Sequence, residues 1–223
     1  MTDINTLIPS VGFLRPGEMG QWAVLKEEIT QSDLNSWDLS AVKDPYRIRQ
    51  RRPKLGPYTR LEYRGNIFPD TVMSDTEGEK WAHENFVSIA TGTVLINGLG
   101  LGVALNAVLL KPDVRCVYVI EKSPEVCALV GRQYQDRVSA GLYGEKGFVL
   151  INEDAFTFQP LKGEQFNVVW HDIWTDIVSD SLPGIARLKR KYAKRLVLPG
   201  KWQGAWMEHE LRATERIARR VGL

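Results

Sequence analysis

Five short apolar runs punctuate the second half of the chain: "VLIN" (94–97), "RCVYVIE" (115–121), "FVLIN" (148–152), "FNVVWHD" (166–172) and "RLVLPG" (195–200). They are rich in Val, Ile and Leu without polar alternation, the mark of strands buried on both faces. Helix-like stretches at 102–110, 123–136 and 182–194 lie between them. In the second of these, Ser123 suits an N-cap and Pro124 the first helical position. Strand and helix in alternation predict an α/β fold, a mostly parallel sheet with helices on both faces.

Residues 1–91 carry a different pattern. "QWAVLKEEI" reads as a strand, and "YTRLEYRGNIFPDTVMSD" as a hairpin with Gly65-Asn66 at its turn. The basic, proline-bearing "KDPYRIRQRRPKLGP" reads as a loop between them. "TEGEKWAHENFVSIA" reads as a helix capped by Thr76, with Glu79 completing a capping box. The expected division is a small β-rich appendage at 1–75 and the α/β part at 76–223. After "RLVLPG" one helix, near 204–220, remains, so the C-terminal part of the sheet is truncated.

Composition narrows the class. The 223 residues are 43% hydrophobic and 25% charged, enough for a core in a soluble chain, and the net charge of +2 marks no strong polyanion binder. Cys116 and Cys127 show neither metal spacing nor a disulfide framework; they read as small buried hydrophobes in a reducing cytoplasm. The N-terminus lacks the pattern of a signal peptide, and no apolar run reaches the ~20 residues of a membrane span.

Candidate chemistry starts where the first strand meets "GLGLG". Gly98, Gly100 and Gly102 follow a buried strand and open a helix, an arrangement that cradles a phosphate or nucleoside; a tight turn without a ligand is the alternative. The next strand ends in Glu121, whose carboxylate can accept from a ribose diol at the edge where open α/β sheets bind ligands. Asp154 follows the third strand and Asp172 the fourth. A carboxylate left there without donors or a cation costs several kcal/mol, so three in succession point to a ligand. The dinucleotide fingerprint wants a small residue where this chain has Val103, which disfavours NAD.

From "VLINGLGLG" through Glu121 and "NEDAF" to "VVWHDIW", residues 70–200 resemble the class I S-adenosylmethionine-dependent methyltransferases, and within them the spermidine synthase-like branch. The resemblance implies a Rossmann-like fold. It implies that Asn97, Gly98, Leu99, Gly100 and Gly102 hold the amino-acid end of S-adenosylmethionine. Glu121 would take its ribose hydroxyls with Lys122 alongside, and Asp154 and the Ala155 backbone its adenine. Asp172 would touch the cofactor and position or deprotonate the nucleophile. "WAHEN" is similar to the segment before the first strand in spermidine synthases, which places His83 and Glu84 near the pocket. His83, Trp174 and Asp176 are the expected substrate-side residues.

The chain also departs from that branch. Spermidine synthases carry an aspartate in the glycine loop, where this chain has only Leu and Gly. An acidic loop would repel the carboxylate of intact S-adenosylmethionine, so its loss favours that form over the decarboxylated one. The expected activity is methyl transfer to a small or polar acceptor, with residues 1–91 lying over the site as a lid. The alternatives are aminopropyl transfer from decarboxylated S-adenosylmethionine and a nucleoside-binding protein without catalysis. His171, by strand alternation, faces away from Asp172 and is structural. Trp170, Trp174, Trp202 and Trp206 cluster late, with Trp174 open to stacking or to core packing. The basic stretches 47–54, 187–195 and 212–220 can meet a nucleic acid, but the two helical ones read better as solvated faces around Leu188, Ala193, Ile217 and Val221. A small-molecule acceptor is favoured over nucleic acid, no metal is expected, and a homodimer is possible in principle.

Overall fold

In the computed structural model, which describes residues 3–43, 52–175 and 180–221, the chain forms two sheets. The first is antiparallel: β1 (Gly17–Met19), β2 (Trp22–Ile29), β3 (Gly56–Tyr63) and β4 (Asp70–Ser74) lie side by side in chain order. The β3–β4 hairpin forms as expected, but Tyr63 pairs with Asp70, so 64–69 makes a longer turn than Gly65-Asn66 alone. Helix α1 (Ile4–Leu7) precedes this sheet, and α2 (Gln31–Lys43) joins β2 to β3. The proline-bearing basic loop lies mostly outside the described residues. Of its flanks, Arg52 pairs with Asp38 at 2.8 Å and Lys54 with Glu77 at 2.8 Å.

Helix α3 (Glu77–Ile89) leads into the second sheet. The capping box expected at its start does not form. The Thr76 hydroxyl lies 2.9 Å from that of Ser74 and makes no cap bond, and Glu79 turns towards a cavity instead.

The second sheet is parallel throughout. In chain order it runs β5 (Gly92–Asn97), α4 (Val103–Leu110), β6 (Val114–Glu121), α5 (Pro124–Val126), a π-helical turn (Cys127–Gly131), α6 (Arg132–Ser139), β7 (Gly147–Asn152), β8 (Val168–His171), α7 (Ser181–Tyr192), β9 (Trp202–Ala205) and α8 (Glu208–Val221). The strand order β7-β6-β5-β8-β9 has the first strand central and a reversal beside it, the doubly wound Rossmann-like pattern. Ser123 does cap α5, accepting from the Val126 N–H at 3.1 Å, with Pro124 at the first position.

Period-two alternation sends successive side chains of the central strands to opposite faces. Val94, Ile96, Val168 and Trp170 pack with Phe86 and Leu105 on one side, whereas Leu95, Val169 and Ile120 pack with Leu188 and Tyr192 on the other. Trp170 stacks on Phe86 at 5.1 Å and on Trp202 at 6.1 Å, so of the late cluster Trp170 is a core residue and Trp202, half-buried, packs against that core.

The last strand is displaced from its expected place. Of the run 195–200 only Leu196 makes an isolated bridge, to Phe166. Pro199 lacks the N–H that a ladder needs and Gly200 turns the chain at φ +94°, so pairing resumes only at Trp202. The closing helix accordingly starts at Glu208, later than expected. No antiparallel strand joins this sheet among the described residues.

Candidate functional site

A cavity of about 680 Å³ lies between the two sheets, at the carboxyl ends of the parallel strands. Gly98 and Gly100 enter its wall after β5, Glu121 and Lys122 after β6, Asp154 and Ala155 after β7, and Asp172 and Trp174 after β8. The opposite wall comes from the antiparallel sheet through Trp22, Tyr63 and Met73.

The glycine bend is shaped by the groups that crowd it. Gly98 has φ +96°, and a Cβ on it would stand 1.9 Å from the Asp172 carbonyl oxygen. At Gly100, φ +51°, a Cβ would stand 2.6 Å from the Met73 sulfur, which accepts the Leu101 N–H at 3.2 Å. At Gly102, φ +69°, the obstacle is the Tyr134 ring, whose hydroxyl donates to the Gly102 carbonyl at 2.8 Å. Gly102 is thus accounted for by packing at the start of α4. Three of the expected contact residues sit behind the wall, not on it. Gly102 is one; Leu99 is another, its side chain in the core. Asn97 is the third, fully buried with its Nδ2 2.8 Å from His171 Nδ1.

Glu121 holds the bend from below. Its carboxylate accepts the Leu99 N–H and the Ser123 N–H, both at 2.8 Å. Burial raises its pKa and these amides oppose the rise. Asp154 accepts the Phe156 N–H at 2.7 Å, and this bond, with Lys122 at 3.2 Å, keeps its carboxyl below the ordinary range. Ala155 is buried on the cavity wall, and its carbonyl accepts Lys191 Nζ at 2.9 Å.

Asp172 is strongly perturbed. Burial pushes its pKa well up, the charge of Glu79 and then of Glu121 adds to that, and the Trp170 indole opposes it. His83 is fully buried, with Nε2 3.9 Å from Asp172 Oδ2, and burial holds it neutral with a pKa of about 4. It therefore backs Asp172 and does not line the cavity, where a substrate contact was expected. Glu84 points elsewhere, into a separate groove beside Trp81 and Trp202. His171 lies on the far side of β8 as alternation requires. Trp174 faces the cavity and rests on Gly184 of α7, and Trp206 joins the same wall. Asp176 lies outside the described residues.

Glu79 is the wall residue that the sequence pattern assigned to helix capping. Its signal is there in "EKWAH", which puts Glu79 and His83 four apart on one helix face.

The basic helix is largely engaged within the molecule. Arg187 lies 5.0 Å over the Phe156 ring, Lys189 meets Glu208 at 2.9 Å, Lys191 meets the Ala155 carbonyl, and Arg195 meets the Leu161 and Glu164 carbonyls. Of the apolar positions expected inside these helices, Leu188 is buried, Ala193 and Ile217 are exposed, and the Val221 side chain lies outside the described part of the molecule. Both cysteines are free and half-buried, and burial raises Cys127 to a pKa of about 11. No helix among the described residues is long and apolar enough to cross a membrane.

No protein-family model matches the chain, and no curated protein does. Solved structures with similarity to it include the methyltransferase CcbJ from Streptomyces caelestis, at 17% identity and TM-score 0.36 over 48% of this chain and 40% of that one. Another is an S-adenosylmethionine-dependent methyltransferase from Clostridium acetobutylicum, at 14% and 0.38 over 55% and 48%. A third is the glycopeptide N-methyltransferase MtfA complexed with S-adenosyl-L-homocysteine, at 19% and 0.37 over 54% and 44%. The chain thus spans less than half the length of each of these three.

Proposed function

We propose that the chain binds S-adenosylmethionine in this cavity and transfers its methyl group to a small polar acceptor. The observation that carries the reading is the convergence of Gly98, Gly100, Glu121 and Asp154 on one cavity at the carboxyl ends of β5, β6 and β7. Doubly wound sheets take their ligands at that edge. The residues suit the group. The bend is free of side chains where a Cβ would collide, two carboxylates stand at successive strand ends, and the volume is that of a small-ligand site.

In this reading Gly98 and Gly100 pass beneath the amino-acid end, and Asn97, Leu99 and Gly102 fix the bend from behind. Glu121 takes the ribose hydroxyls beside Lys122, and Asp154 and Ala155 take the adenine. Residues 1–75 act as the cover. When bound, the group supplies a methyl on an already activated sulfonium leaving group. The protein's part is to orient the acceptor and exclude water. Asp172 orients the nucleophile with His83 behind it, and Trp174, with Asp176 by sequence position, borders the acceptor.

Calorimetry tests this. Heat is expected with S-adenosylmethionine and S-adenosylhomocysteine and none with NAD; the reverse pattern overturns the assignment. The acidity of the cavity favours a second reading. Glu79, Glu121, Glu125, Asp154 and Asp172 line it against Lys122, itself paired with Asp154, and such a wall repels a donor's carboxylate. Tighter binding of decarboxylated S-adenosylmethionine would replace methyl transfer with aminopropyl transfer.

A further inference from the structure

Helix α3 carries Glu79 and His83 one turn apart on the same face. His83 Nε2 stands 3.9 Å from Asp172 Oδ2, which brings the Glu79 end of that face to the Asp172 side of the cavity, and both acids line it. Among the described residues no cation pairs with the Glu79 carboxyl. We infer that Glu79 and Asp172 form a coupled pair of acids on one wall of the cavity, and that Glu79 takes up the proton lost by the acceptor. The second half of this inference rests on the methyl-transfer reading.

Two carboxyls in one poorly solvated site cannot both ionise readily. Burial lifts Glu79 to a pKa of about 7, and burial and the charge of Glu79 push Asp172 well above its ordinary value. Glu79 is therefore the member poised to gain or lose a proton near neutrality. Neutral His83 from α3 and the Trp170 indole from β8 stand against Asp172, and the other ionisable groups of the same cavity are Glu121 and Lys122 from the end of β6, Glu125 from α5, Asp154 after β7 and Tyr63 from β3. Lys122 pairs with Asp154, and among the described residues no lysine or arginine pairs with Glu79 or Asp172.

The acceptor class follows from this. The nucleophilic atom, still bearing hydrogen, bonds to the methyl carbon as the carbon–sulfur bond breaks. The electron pair of that bond stays on sulfur, leaving a neutral thioether, and the hydrogen passes as a proton to Glu79 and then to water. An alcohol, a phenol or an uncharged N–H group meets these terms. A thioether, a carboxylate or an ionised phosphate has no proton to give.

Carboxyl ¹³C NMR on the ligand-free protein, labelled at Glu and Asp and titrated across pH, tests the pair. Coupled sites titrate in two steps that belong to both. The Glu79 and Asp172 carbons are expected to report a first step near pH 7 and a second above it. Glu79→Gln removes the like charge and draws the Asp172 step down, and Asp172→Asn leaves Glu79 with one step. Independent single curves, or an Asp172 step unmoved by Glu79→Gln, overturn the pair. Calorimetry near pH 7 in buffers of different ionisation enthalpy tests the role. The cationic S-adenosylmethionine is expected to expel a proton on binding, neutral-sulfur S-adenosylhomocysteine fewer, and Glu79→Gln to abolish the difference. Heat without that difference overturns the role of Glu79. No heat from either nucleoside overturns methyl transfer, while the coupled pair still stands or falls by the NMR titration.

Discussion

Gly98 has no room for a side chain, because the carbonyl after β8 occupies the space a Cβ would need. Gly98→Ala adds left-handed strain to a backbone collision, and a loss of roughly 2–5 kcal/mol is expected in urea denaturation. Gly100→Ala meets only the flexible end of Met73 beyond its own strain and costs less. Glu121→Ala leaves the Leu99 and Ser123 amides without their acceptor. It is expected to weaken S-adenosylmethionine binding by about 1–3 kcal/mol while lowering the denaturation midpoint. Unchanged affinity in a folded variant removes Glu121 from the ribose site. Glu121, Asp154 and Asp172 were legible in the sequence because a carboxylate closing an apolar run is conspicuous. Glu79 was not, since three residues after a threonine it matches a capping box equally well. Only the orientation of α3 decides between the two roles.

At the scale of elements, the antiparallel sheet is tied to the N-terminal segment through one buried acid. Asp75 accepts the Ser10 hydroxyl and the Val11 N–H through one oxygen and the Thr59 N–H, at 2.6 Å, through the other. Asp75→Ala strands two buried backbone donors, and a loss of about 3 kcal/mol is expected by thermal denaturation, with the β3–β4 hairpin opening first in proteolysis. The strands were readable where burial on both faces forces continuous apolar runs, as in β5 and β8. Helix α2 offers little such signal in the sequence: among its described side chains Leu34 is buried and Leu39 is exposed. Its start is nonetheless written in "TQSD", where the Thr30 and Asp33 side chains each accept the other's backbone N–H. The displacement of β9 beyond Pro199 shows the opposite case, an apolar run that makes one isolated bridge instead of a ladder.

Across the whole molecule, buried ionisable groups set opposing pH trends. His83 and His171 fold as neutral groups with pKa values of about 4 and 3 against an ordinary 6.5. The unfolded chain takes up protons first as pH drops below 6.5, so their contribution falls from there towards pH 3. Glu79 moves from 4.5 to about 7 and Asp172 well above 3.8. Here the unfolded chain releases protons first, so stability is present at low pH and is lost as pH climbs through the folded values. The trends offset each other between about 4.5 and 6.5, giving a plateau with a decline on either side. Melting curves across pH check this; the Glu79→Gln, Asp172→Asn double variant is expected to flatten the alkaline decline, and an unaltered decline contradicts the assignment.

The glycine bend is wedged by the Asp172 carbonyl, Met73, Tyr134 and Glu121. With these contacts supplied by the protein itself, a ligand need not freeze the bend. Deuterium uptake at residues 98–102 should then be slow in the free protein and scarcely slower in the complex. Protection gained on binding should fall on the β3–β4 hairpin.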